Sequence, residues 1–167
     1  MIRIGRRTVA ATSASAALVA GLALSAPAAW ADNATATAPF GSGRHIEARV
    51  WKDKGNLSPH WTTSAWAYHG SALWKVTWIK NTADLYSTGA SITVSCSTDK
   101  KCTATGSLTG NHVSLWWQNG DSDESDLGGQ MQVNGLVVAT KACSSAVGYS
   151  QPLGLHSNVA TACVGWG

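Results

Sequence analysis

The chain predicts an all-β fold, a single-domain antiparallel sandwich or barrel stabilised by two disulfides. Three observations carry that expectation. Short runs rich in Thr, Val, Trp and Ser alternate apolar and polar residues with period two. Turn residues break the chain about every ten residues, the spacing of sandwiches and barrels. The cysteine count is even, at four, behind an N-terminus with the features of an export signal.

That N-terminus, residues 1–31, reads as a signal peptide. Arg3, Arg6 and Arg7 make a basic start, Val9 to Leu24 is apolar and alanine-rich, and Ala29-Trp30-Ala31 has a small-x-small cleavage pattern. The apolar part is short against the roughly 20 residues of a membrane span. The expected location is extracellular, and the style is bacterial. Residues 32–43 (DNATATAPFGSG) are small and polar and read as a flexible leader. The all-β domain is expected over 44–167, enough for one core.

Charge narrows the partners. The chain carries +3, and its three N-terminal arginines account for all of it. After cleavage the balance is neutral, which argues against nucleic acid and anionic lipid as partners.

The elements follow in order. In 45–51, Ile46, Ala48 and Val50 share one face and His45, Glu47, Arg49 and Trp51 the other. Residues 61–69 form the next run, ended by Gly70. In 72–80, Ala72, Trp74, Val76 and Trp78 share a face, read as core. Residues 81–89 read as a connection. Ile92–Cys96 and Cys102–Leu108 read as a hairpin, with Cys96–Cys102 bridged across Ser-Thr-Asp-Lys-Lys and Cys143–Cys163 as the second disulfide. In 112–118, Val113, Leu115 and Trp117 point in and Trp116 out. Trp117 is expected to end its strand, with Asn119-Gly120 turning the chain. Asn134-Gly135 between apolar runs is a strong type I′ hairpin signal. The last strands are expected at 146–150 and 158–166.

Tryptophan stands out: nine residues against one Phe, Phe40. Trp51, Trp66 and Trp116 fall on the more polar faces and are the candidate ligand-binding residues. Flat rings on a β-surface suit the apolar faces of sugars, so the leading expectation is a secreted, non-catalytic protein that recognises polysaccharide or cell-wall glycan. An alternative is an inhibitor or toxin-like protein binding a secreted protein through the disulfide-tied tip, where Lys100 and Lys101 are the candidates. A hydrolase with a dispersed site, such as His112 or His69 meeting Asp84 or Glu47, ranks third. No cofactor is expected. Asp121, Asp123 and Asp126 are a weak calcium candidate, since the run lacks an EF-hand's Gly at its sixth position and Glu at its twelfth. No histidine pair has metal-ligand spacing. No motif carries a resemblance to a known family.

Overall fold

The computed structural model describes residues 31–54, 58–99 and 101–165. Residues 1–30 of the expected signal segment, Lys100 and Trp166 therefore lie outside the described residues. The strands are β1 (Ala31–Pro39), β2 (Arg44–Asp53), β3 (His60–His69), β4 (Ala72–Leu73), β5 (Val76–Cys96), β6 (Thr103–Thr105), β7 (Thr109–Gly110), β8 (His112–Ser122), β9 (Glu124–Ser150), β10 (Leu155–His156) and β11 (Ala160–Gly165). One 3-10 turn, Gln151–Leu153, joins β9 to β10.

All pairings are antiparallel, in one sheet ordered β1-β2-β3-β9-β5-β8-β6. β9 also pairs with β10 and β11, and β4 and β7 flank β3 and β5. The sheet curls into a half-barrel around a single core. The expected all-β, two-disulfide fold is what the chain forms.

Alternation sets the core. Ile46, Ala48 and Val50 of β2, and Trp61, Thr63, Ala65 and Ala67 of β3, all point inward and are buried. β5 adds Ile79, Asn81, Ala83, Leu85, Ile92 and Val94, and β8 adds Val113 and Leu115. Fully burying a side chain the size of Ile or Leu is worth about 1.5–3 kcal/mol.

Asn81, completely buried in the core, is bonded at both ends of its amide. Its Nδ2 donates to Thr63 Oγ1 at 3.0 Å, and its Oδ1 accepts from Ser144 Oγ at 3.1 Å. Strands β3, β5 and β9 are thus tied through the interior.

Several expectations are corrected. The segment 32–43 is not a leader outside the fold. Residues of β1 pair with β2 from Ala31↔Asp53 to Pro39↔His45, and Phe40 is completely buried, edge-on to Trp74 at 5.3 Å. Alternating Ala and Thr in Asn-Ala-Thr-Ala-Thr-Ala suits an edge strand whose small side chains let it lie close.

Residues 81–89 are no connection but the middle of β5, with Asn81, Ala83, Leu85 and Ser87 inside. The polar inward positions disguised the alternation. Asn134-Gly135 makes no hairpin either. It sits within β9, opposite the point where β5 shifts register between Thr88 and Ser91. Gly89 (φ 98°) and Gly135 (φ 115°) both take left-handed backbone there, so the Asn-Gly pair serves a bulge that bends two long strands.

The expected 92–108 hairpin is also redrawn. Of its second run only β6 is a strand, and it pairs with β8; β5 is met instead by β7, just past that run. The Cys96–Cys102 bridge is present all the same. Cys143 and Cys163 are directly opposed on β9 and β11, with Cα atoms 4.1 Å apart.

Candidate aromatic binding surfaces

The outward residues of β2 and β3 build the first surface. Alternation that buries Ile46, Ala48 and Val50 drives Glu47, Arg49 and Trp51 to the outside, where β3 sets Thr62, Ser64 and Trp66 beside them. The pairs are Glu47↔Trp66, Arg49↔Ser64 and Trp51↔Thr62. Trp51 and Trp66 therefore sit about 13 Å apart along the strands, with Arg49 midway.

Arg49 holds this surface together. Its Nε is paired with Glu47 Oε1, and its Nη2 donates to Tyr68 Oη at 2.9 Å. Its guanidinium lies 5.3 Å from the Trp66 ring centre, a cation–π contact. Trp66 Nε1 donates to Ser64 Oγ at 3.0 Å. The bond to Glu47 raises the Arg49 pKa above its ordinary value, with burial opposing.

A groove of about 460 Å³ opens here, lined by Asn33, Thr35, Glu47, Arg49, Trp51 and Ser64 among others. Its size is ordinary for a small-ligand site. Trp51 is 38 % exposed, so its ring is available to a ligand. β1 contributes Asn33 and Thr35, so it completes the groove's wall.

Trp116 lies elsewhere. On β8 it faces outward opposite Thr82, three strand steps from β3 in the sheet order, and Lys80 Nζ stands 4.6 Å over its ring. The three candidate tryptophans thus divide between two surfaces. Trp78, expected in the core, joins the outer face. Asp121 takes a left-handed φ of 46° beside the Val76↔Ser122 and Trp78↔Gly120 pairs, and alternation slips so that Val76 and Ile79 are both buried. Trp78 instead contacts Tyr149 and His156. Trp117 is only half-buried, under Lys101.

The three calcium candidates do not all share one site. Asp123 and Asp126 border a groove of about 330 Å³ with Trp117, Asn119 and Lys101, whereas Asp121 borders a different groove with Arg44 and Trp74. Among the described residues, no group of three or more His, Cys, Asp or Glu is arranged to hold a metal ion. The chain does not turn at Asn119-Gly120. β8 runs on to Ser122, the turn falls at Asp123, and Asn119 links the two strands by donating to the Glu124 carbonyl at 2.7 Å.

Of the tip lysines, Lys101 is exposed, with its ammonium 5.3 Å from the Trp117 ring centre. Of the histidine–carboxylate pairs, His112 Nε2 does meet Asp84 Oδ1 at 2.9 Å, while Glu47 is taken by Arg49. His60 Nδ1 meets Asp53 Oδ2 at 3.2 Å. The His112 and His60 side chains are 52% and 62% exposed, so water has free access to both pairs.

Comparison with known proteins returns no matching family model, no similar characterised protein and no similar solved structure. The class rests on the fold itself: an antiparallel, disulfide-bonded, aromatic-faced β-protein.

Proposed function

We propose that this is an extracellular recognition protein that binds a neutral glycan in the groove of β1, β2 and β3. One observation carries the reading. Trp51 lines the groove beside an internally neutralised Glu47–Arg49 pair, with Asn33, Thr35 and Ser64 around it, and Trp66 lies just beyond, under the Arg49 guanidinium. Aromatic faces stack on the apolar faces of sugar rings, and the polar side chains bond the hydroxyls. The ion pair cancels its own charge, so the groove has no preference for a charged ligand. The signal-like N-terminus and the two disulfides fit an oxidising, external location.

The experiment is depletion of the chain from solution by chitin, cellulose and peptidoglycan, with Trp emission followed in parallel. Binding to at least one polymer is expected, with a blue shift. Trp51→Ala is expected to weaken it about tenfold, and Arg49→Ala by a similar factor. Absence of depletion by all three polymers, or binding indifferent to both substitutions, sinks the reading.

A further inference from the structure

We propose a second, independent site: the outer face of β5, β8 and β9 is an elongated track for a linear anionic glycan. The geometry starts from β5. Trp78, Thr82 and Tyr86 follow one another at four-residue steps, so all three point outward and each lies about 13 Å from the next along the strand. Each marks a cross-strand row that carries an aromatic ring.

The first row is His156–Tyr149–Trp78 on β10, β9 and β5. Tyr149 and His156 are 4.5 Å apart between ring centres, and Trp78 is within 6.0 Å of both. The row ends at Gly120 of β8, where a Cβ would find only the Thr77 carbonyl, at 3.9 Å. A shelf without side chain is left beside the indole. The second row is Ser145–Thr82–Trp116–Thr103, one indole among three hydroxyls. The third is Lys141–Tyr86–His112, in which the Tyr86 and His112 rings stack at 4.4 Å and 6°.

Regular aromatic stations over about 27 Å of ladder without a register shift suit a chain-like ligand with a repeating unit. The charges choose its sign. Lys80 stands between the first two stations, 4.6 Å over Trp116, and Lys141 lies 5.7 Å from the Tyr86 ring. The one carboxylate on this stretch of β5, Asp84, is already bonded to His112. The face therefore carries two lysines, Lys80 between the first two rings and Lys141 level with the third, against the single carboxylate of Asp84, and this excess of positive charge favours the carboxylates or sulfates of an acidic polysaccharide. The β1–β3 groove, with its closed ion pair, lacks that preference.

The test is affinity electrophoresis and titration of the intact chain with polygalacturonate, alginate, hyaluronan and heparin, beside fully methyl-esterified pectin and a single-stranded thymidine oligonucleotide. At least one acidic polysaccharide is expected to bind, and to bind more weakly as salt is raised. Trp116→Ala and Trp78→Ala are each expected to lower affinity about tenfold. Lys80→Glu, a surface change that leaves the core untouched, is expected to abolish the preference for acidic over esterified polymer. Trp51→Ala is expected to leave this binding unchanged, which separates the track from the groove. Failure of all four acidic polymers to bind overturns the proposal. So does binding that survives both tryptophan substitutions and Lys80→Glu, or tighter binding of the oligonucleotide than of every polysaccharide.

Discussion

Asn81 and Thr63 meet across the core in a 3.0 Å hydrogen bond, although β9 separates their strands in the sheet. The contact shows how far the sheet has curled, because Thr63 pairs with Leu127 and Asn81 with Ala146, positions roughly 60 Å apart along a straight β9. Ser144 on the intervening β9 completes the triad. Asn81→Ala is expected to destabilise the protein by about 1–3 kcal/mol, since Thr63 would lose its bond to Asn81 in the core while Ser144 keeps the Ser64 carbonyl. Urea denaturation of the variant measures it.

Gly129 is required by the approach of two backbones. A Cβ there would stand 1.8 Å from the Ser95 carbonyl oxygen, and backbone cannot move aside as a side-chain tip can. Gly129→Ala is expected to cost more than about 3 kcal/mol or to prevent folding. Gly120→Ala meets nothing closer than 3.9 Å and is expected to melt with the wild type. Thermal scans of the pair check both halves.

The disulfides differ in span. Cys143–Cys163 closes a separation of 20 residues and Cys96–Cys102 one of 6. Chain entropy assigns about 3 kcal/mol to the first and about 2 to the second. The Cys143→Ser, Cys163→Ser double variant is expected to lose more stability than the Cys96→Ser, Cys102→Ser one. Equal losses in guanidinium titrations would contradict that order.

Burial pushes the Lys52 ammonium below its ordinary pKa of 10.5, with Asp32 and Asp53 partly opposing. The unfolded chain therefore holds the proton more tightly between the lowered value and 10.5. Stability attributable to Lys52 rises with pH across that window, and its penalty is complete below it. Tyr86 acts oppositely. Burial and Asp84 raise its pKa above 10.0, so the folded state keeps a proton that the unfolded chain releases, and stability falls above that pH. Lys52→Met is expected to flatten the alkaline rise and keep the later fall. Denaturation midpoints from pH 7 upward read both limbs.

How much of this was legible follows from which residues obeyed alternation. β2 was readable because apolar Ile46, Ala48 and Val50 interleave with charged Glu47 and Arg49. That phase also placed Trp51 outside, and the β3 pairing brings Trp66 to the same surface. β1 was hidden because Ala and Thr look alike on either face. The middle of β5 was hidden because Asn81 and Ser87 occupy core positions. Trp78 escaped because the alternation slips at the Asp121 kink, which depends on a partner strand. Asn134-Gly135 misled because left-handed backbone serves bulges as well as hairpins. The division of Trp51, Trp66 and Trp116 between two surfaces depends on strand order, which no local pattern encodes.

β9 is the hub of the sheet, pairing with β3, β5, β10 and β11. During synthesis β1, β2 and β3 are complete long before Glu124 exists, and until then β3 offers a bare edge beside Trp61 and Ala65. Closing β3 onto β9 joins residues some sixty positions apart, Trp66 to Glu124 being the nearest in sequence. Such topology makes folding slow, on the scale of milliseconds to seconds. The nascent chain cannot fold piecemeal from its N-terminus; it must remain unaggregated until its C-terminal third arrives, and that interval is when a chaperone would have to hold it.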